Sequence, residues 1–568
     1  MNDLRRVARV WGLWFLLGFC SFVFGLGGLA WGAPQGQVGL GYAPDGPNFP
    51  TITLNEDQSG AADLPPVKEP PPNGFNKQSI WNMRVVGFAD DLGCAQSDQI
   101  WIENQHGREI LYAGSNAGSL VPGVQCGVAI YDVTLPRMPL FLANIAADPA
   151  GGGAPHTFVC GGDTLPNNEA NGTKGHFYLI IHRGNASTGM GRHEVWDVTN
   201  PSTPSLVSTI VGGEDEYHRT WWECDTGIAY LVSGQKSDNW HEQQHLKIFD
   251  LSNPAHPLYI RDFGLVGGQP SADISTAQSC INNPGPNCYE GVTNPPAALH
   301  EVYSASVNVN RVYLAYSSGS NGVVQIVDRN KLVNGCDTSV NSNASANCAA
   351  NPTQADMLYP QVGYITKNPL QGAHDTNPIF GVPIPQEQQG FLDGSPQRWD
   401  LLITPSEAGG PPSCVGQAPH EATLLDITND QTPWPISTLN VPQFPGNFCD
   451  KGARFGAHHA NLQIYAPYYG RLQFVTWFNA GLRVWDIRDP LNPRPVAYFI
   501  QAPNGNTQQS CGTPQGPNVC ANVTYMDIVE VDDRGYIYGQ DRAGSGITIL
   551  QLTGDALKVV TGQGSQAQ

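Results

Sequence analysis

One phrase recurs along this chain and limits its fold more than any other feature. It reads "GVAIYDVTLPRMPLFLANI" at 127, "HEVWDVTNPSTPSLVSTI" at 193, "LKIFDLSNPAHPLYIRDF" at 246, "VVQIVDRNKL" at 323, "ATLLDITNDQTPWPISTL" at 422 and "LRVWDIRDPLNPRPVAYFI" at 482. Each copy is an apolar strand closed by an aspartate, a turn carrying Asn or Pro, and a second apolar strand. Asp and Asn accept turn hydrogen bonds and Pro pre-sets the turn, so the phrase predicts two strands of one antiparallel sheet. The closing residues are Asp132, Asp197, Asp250, Asp328, Asp426 and Asp486, at spacings of 65, 53, 78, 98 and 60 residues. A seventh unit, "RGYIYGQDRAGSGITILQLTG" at 534, carries Gln551 in place of the aspartate.

Repeated units of a few short strands predict an all-β, seven-bladed β-propeller. The composition agrees, with 64 Gly and 46 Pro in 568 residues and no long amphipathic helix. The last unit supplies only three strands, and an orphan strand, "NMRVVGF" at 82, precedes the first. This N-terminal strand is expected to complete the last blade and close the ring, which removes two exposed sheet edges.

Residues 1–33 read as a signal peptide, with Arg5, Arg6 and Arg9 before an apolar run that ends in Ala30-Trp31-Gly32-Ala33. A retained membrane anchor is the competing reading, because the run approaches spanning length. Residues 34–78 read as a Pro-rich extended lead-in, 79–556 as the propeller and 557–568 as a disordered tail. The expected location is secreted, periplasmic or cell-surface, with no stable membrane span after cleavage. Of 13 cysteines, Cys20 lies in the leader, and the remaining twelve favour disulfides in an oxidising compartment. Close spacing suggests Cys280 with Cys288, Cys336 with Cys348 and Cys511 with Cys520. A net charge of −20 excludes the basic footprint that nucleic acids require.

Working back from each closing aspartate reaches the innermost strand, which lines the axis. Those strands begin around His156, His218, His300, His374 and the pair His458 and His459, while the other two blades offer Asp90 or Asp91 and Met526. Equivalent starts put equivalent side chains at one height, so the histidines should form a ring. Imidazoles converging on one point make a transition-metal site, with copper or zinc the expected ion. On a regular strand only one of His458 and His459 faces the channel, leaving the other to support it. Channel histidines also occur simply hydrogen-bonded to water and backbone.

Glu216, Glu301, Asp375 and Asp527 beside these starts are candidate orienting groups or bases, and Arg219 and Arg454 candidate anion contacts. Cys160 and Cys224 are either thiolate ligands or an inter-blade disulfide. The other histidines, His106, His176, His182, His193, His241, His245, His256 and His420, read as structural or surface residues. No phosphate loop, zincin helix or nucleophile elbow is present.

The phrases "IYDVTLPRMP", "VWDVTNPSTP", "IFDLSNPAHP" and "VWDIRDPLNP" resemble the LVIVD repeat of secreted or surface bacterial and archaeal β-propellers. The likeness spans about residues 80–555 and implies the architecture without a single activity. "PHTFVCGG" with further axial histidines is similar in kind to the selenium-binding and methanethiol oxidase propellers. That resemblance implies channel histidines holding copper and oxidase-like chemistry. Two functions follow: a metal or small-ligand site at the channel mouth, or a non-catalytic surface scaffold that binds a protein or glycan through insertions at 265–298, 335–357 and 378–418.

Overall fold

The computed structural model describes residues 42–43, 46–50 and 78–561, except 96, 116–124, 149–151, 155, 243, 273–296, 386–397, 408–418, 443–447 and 514–515. The segment expected to be a signal peptide, most of the expected lead-in, and the Cys280 and Cys288 pair lie outside the described residues. Among the described residues no helix is long and apolar enough to cross a membrane.

Seven four-stranded antiparallel sheets form the body. Blade 1 comprises Ser97–Gln105, Arg108–Ser115, Gly127–Asp132 and Leu140–Ala146. Blade 2 comprises Thr157–Gly161, Phe177–Arg183, Gly191–Asp197 and Ser205–Glu214. Blade 3 follows with Glu216–Trp222, Ile228–Gly234, His245–Asp250 and Leu258–Phe263. Blade 4 has Leu299–Ser304, Arg311–Tyr316, Val323–Asp328 and Gln361–Thr366. Blade 5 has Asn377–Pro383, Arg398–Pro405, Ala422–Asp426 and Trp434–Leu439. The stretch 378–418 therefore holds the first two strands of blade 5, so much of that expected insertion is the body of the blade.

Each closing aspartate ends the third strand of its blade, where its carboxylate accepts the backbone N–H two residues on. The contacts are Thr134 to Asp132 at 2.9 Å, Ser252 to Asp250 at 2.7 Å and Thr428 to Asp426 at 2.8 Å. Blade 4 departs from the phrase because Asp328 instead caps the helix Arg329–Asn334 through the Lys331 N–H.

Closure occurs as the sequence predicts, with an addition. Blade 7 is Met526–Val531, Ile537–Asp541 and Ile547–Leu552, completed by Met83–Ala89 as its outer strand. Blade 6 is Leu472–Thr476, Leu482–Asp486 and Arg494–Ile500, and Ser79–Trp81 pairs on its outer edge. One N-terminal segment thus ties two consecutive blades, and Asn82 at the crossing donates to the Val496 carbonyl. The inner position of blade 6 is filled by residues 458–461, an irregular strand bonded to Thr476 and Phe474. The inner strand of blade 7 packs beside that of blade 1.

Apolar side chains fill the spaces between adjacent sheets, as with Ile100, Leu111, Ile528, Tyr538 and Ile547 between blades 7 and 1. Inner-strand aromatics run in series from Trp101 to Phe158, Trp221 and Tyr303, with centroids 4.1, 5.0 and 4.2 Å apart. Disulfides join Cys94 to Cys126, Cys160 to Cys224 and Cys336 to Cys348. Cys160 and Cys224 are therefore an inter-blade bridge and not metal ligands. Cys520 is disulfide-bonded, and Cys511 is its register partner across a two-stranded hairpin. Residues 554–561 form a helix with Ala556 and Val559 buried, which takes in part of the expected tail.

Candidate metal centre

Every blade contributes one ligand-type side chain to the axis, within three residues of the start of its inner strand. The imidazoles of His156, His218, His300, His374 and His458 follow one another with centroids 4.7, 3.8, 4.2 and 4.2 Å apart. Asp98 of blade 1 and Asp527 of blade 7 fill the remaining arc: Asp98 Oδ2 is 2.9 Å from His156 Nε2, and Asp527 Oδ1 is 3.2 Å from His458 Nδ1. Asp98, His458 and Asp527 offer ligand atoms within 4.8 Å of one another, so the circle of five histidines and two aspartates closes.

Asp98 corrects the sequence reading, which placed blade 1's axial residue at Asp90 or Asp91. Those two lie in the connection before blade 1, where Asp90 accepts the Tyr131 hydroxyl and the Leu92 N–H. The inner strand starts only at Ser97, and its second residue occupies the position that His300 holds on Leu299–Ser304. Blade 7 presents Asp527 rather than Met526, which is buried.

His458 is the ring member of the adjacent pair. Its outer face meets Phe478, 4.7 Å away, a residue held at a left-handed φ of 41° in the turn after Leu472–Thr476. His459 instead joins a layer of charge beneath the ring. Its Nδ1 is 2.9 Å from Asp375 Oδ2 and its Nε2 is 3.2 Å from Glu530 Oε1. Arg219 also contacts His459 and lies 3.1 Å from Asp375 and 3.3 Å from Asp98. Glu301 is 3.8 Å from the same guanidinium. Of the residues named for supporting roles, Glu301, Asp375 and Arg219 thus belong to one network.

Electrostatics separate the two layers. Burial pushes His156, His218 and His458 below the usual imidazole range and His300 down to about 3, so these four rings are neutral near pH 7. Burial and Arg219 act downward on His459, yet Asp375 and Glu530 outweigh them and raise it. Burial opposes ionisation of Asp98, but His156, His218 and Arg219 hold it well below the ordinary carboxylate range. Burial lifts Asp527 to about 7 in spite of Arg542.

Three rings have their tautomer set by a neighbour. His300 Nδ1 lies 3.0 Å from the His374 carbonyl, His458 Nδ1 2.7 Å from the Asp527 carbonyl, and His374 Nδ1 abuts the Asp375 carboxylate. Each Nδ1 therefore donates, which leaves Nε2 as the lone-pair atom, the arrangement that outer partners impose on metal-binding imidazoles.

Two triads of two histidines and one carboxylate stand out, each with ligand atoms within 4.8 Å: Asp98 with His156 and His218, and Glu407 with His300 and His374. Glu407 follows the second strand of blade 5 and pairs with Arg454 Nη1 at 2.5 Å. Burial opposes its charge, but His374, His458, Arg454 and His300 hold it below the usual carboxylate range. No repeat places a residue there, so the sequence carries no signal for it.

The remaining histidines largely follow expectation. His193 sits 2.9 Å from Glu214 and 3.1 Å from Thr220, and His176 is 2.8 Å from Asp197. His182 is an exception, since it lies buried directly behind the ring with its Nδ1 3.2 Å from His156 Nδ1. His245 with Asp238 and Asp262 forms a further cluster, but Lys247 Nζ, 2.7 Å from Asp238 and 3.3 Å from Asp262, already supplies its cation.

No family model matches the chain and no curated protein matches it. Among solved structures it is similar to a hypothetical selenium-binding protein from Sulfolobus tokodaii, at 10% identity over 86% of this chain and 92% of that one, with a TM-score of 0.40. It is also similar to Kuenenia stuttgartiensis hydrazine synthase, at 11% identity over 80% and 95% of the two chains and a TM-score of 0.39. Sqt1 from Chaetomium thermophilum is 11% identical over 83% and 99%, with a TM-score of 0.42. Likenesses this distant carry no argument about function, and the seven-bladed propeller rests on the strand pairing itself.

Proposed function

We propose that this protein is a secreted or periplasmic LVIVD-type propeller whose axial ring binds a transition metal and uses it on a small molecule at the channel mouth. The observation that carries this reading is the convergence of His156 Nε2, at 2.9 Å, and His218 Nε2, at 3.8 Å, on Asp98 Oδ2. Two neutral imidazoles and an ionised carboxylate give the site a net negative charge, and a cation there needs only the His156 proton to pass from Nε2, where it faces Asp98, to Nδ1. Asp98 and His218 also keep some solvent exposure, 14% and 21% of their side chains, which gives an ion a route in. Two histidines with one carboxylate suit zinc or ferrous iron, whereas the copper analogy rests on histidine alone. A bound ion would polarise a substrate oxygen or activate water. The disulfides are compatible with an extracellular compartment.

The test is competition for Zn2+ between metal-free protein and a chromogenic chelator. Wild-type protein should withdraw zinc from the chelator, and Asp98→Asn with His156→Gln should weaken binding at least about 100-fold, as the loss of two of three ligands requires. Equal affinity in wild type and variant would sink the reading.

A second reading, binding of a protein or glycan through loop insertions, has one observation in its favour. A cleft of about 470 Å³ is walled by Asn351 from the 335–357 insertion and by Asp238, Asn239, Tyr259 and Asp262 of blade 3. Asn351→Trp should abolish capture of such a partner; undiminished capture would remove this cleft from consideration.

A further inference from the structure

We propose that the axial ring is a two-ion centre, with one ion on Asp98, His156 and His218 and a second, adjoining ion on Glu407, His300 and His374. The inference rests on the metal-binding reading above and extends it.

Three features argue for two positions. The triads share no residue, and within each the ligand atoms lie within 4.8 Å of one another. The ring is also too wide for one ion. Imidazole centroids spaced 3.8 to 4.7 Å apart around a sevenfold circle stand roughly 10 Å across, about one and a half times the centroid separation of two opposed rings joined to one ion by metal–nitrogen bonds of about 2.0–2.2 Å. Finally, each triad has its own support. His182 backs His156 and Arg219 holds Asp98, while the His374 carbonyl, Asp375 and Arg454 fix His300, His374 and Glu407 in turn.

The triads adjoin where His218 meets His300, with centroids 3.8 Å apart. Two ions placed there would face a common space, the arrangement by which paired metals hold both the attacking and the departing oxygen of one substrate. The third grouping, Asp98 with His458 and Asp527, is not an independent position. It borrows Asp98 from the first triad.

The experiment is reconstitution of metal-free, full-length protein with excess Zn2+, removal of loose ion by desalting, and elemental analysis per chain. The shape-conserving variants Asp98→Asn with His156→Gln, and Glu407→Gln with His374→Gln, are treated alike, and each is checked for native circular dichroism. Two ions in wild type and one in each variant are expected. Reconstitution with Mn2+ gives the second readout: wild type should show an exchange-coupled electron paramagnetic resonance signal, and each variant an uncoupled one. One ion in wild type would overturn the two-ion inference while leaving the axial metal reading intact. No ion would overturn both. Two ions persisting in the Glu407 and His374 variant would show that the second position lies elsewhere.

Discussion

Arg219→Leu should destabilise the propeller by about 4 kcal/mol at pH 7 in metal-free protein. The guanidinium is 1% exposed and holds Asp375 at 3.1 Å and Asp98 at 3.3 Å. Charge-assisted hydrogen bonds contribute about 1.5–3 kcal/mol each, and removing one partner of a buried ion pair costs about 3–5 kcal/mol. The two routes to the magnitude agree. In equilibrium urea unfolding with disulfides intact, an m value of about 3 kcal/mol per M translates this loss into a midpoint lower by roughly 1 M. The difference should also shrink on acidification. Wild-type Asp98 and Asp375 are held well below their unfolded values. Their contribution is therefore present above the unfolded pKa and lost only as the pH falls through the folded one. Without Arg219 both buried carboxyls titrate higher than in the wild type, so the folded variant takes up protons sooner on acidification and the gap narrows as the pH falls. A midpoint change below about 0.3 M, or a gap that stays constant with pH, would refute the account of the charged layer.

Three other outcomes follow from the same geometry. Metal-free wild-type protein should lose stability as the pH falls from 7 to 5, because unfolding frees His156, His182, His218, His300 and His458, all lowered by burial, to bind protons near their ordinary pKa of about 6.5. Each contributes up to about 1.4 kcal/mol per pH unit, partly offset by the raised Asp527, Glu301 and His459, and a His300→Gln variant measured by urea titration at several pH values should show a shallower decline. Asp250→Ala should cost about 1 kcal/mol through loss of the Ser252 N–H contact, and Asp328→Ala about 1 kcal/mol through loss of the helix cap, both read as midpoint shifts. A chain starting at Asn82 uncovers only the short edge that Ser79–Trp81 pairs on Arg494–Ile500, whereas one starting at Asp90 also exposes the whole edge of Ile547–Leu552 and should associate more strongly, as light scattering after gel filtration would show.

The architecture was legible because its signal is periodic. Six closing aspartates mark third strands, five of them through one local interaction, the carboxylate accepting an N–H two residues on, and that interaction needs no tertiary context. The five ring histidines were legible because each opens the first strand that precedes such a mark, although the distance to the mark varies from 28 to 52 residues. Where the repeat lapses, so does the reading. Asp98 was missed because blade 1 has a carboxylate where the other blades have an imidazole, and Asp90 and Asp91 nearby offered the same chemistry. Glu407 reaches the axis from the connection between the second and third strands of blade 5, a part of the blade that the repeated phrase does not mark, and the second outer strand, Ser79–Trp81, is only three residues long. The choice between His458 and His459 turns on a one-residue register, which strand alternation alone does not set. It is decided by the bonds of residues 458–461 to Thr476 and Phe474.

The central claim is that the axial ring holds metal, and the most direct measurement is anomalous X-ray diffraction from zinc-soaked crystals, with data on both sides of the zinc edge. The account predicts a peak on the axis within bonding distance of Asp98, His156 and His218, joined by a second beside His300, His374 and Glu407. Zinc bound only at surface sites, with the axis empty and the imidazoles unmoved, would contradict it.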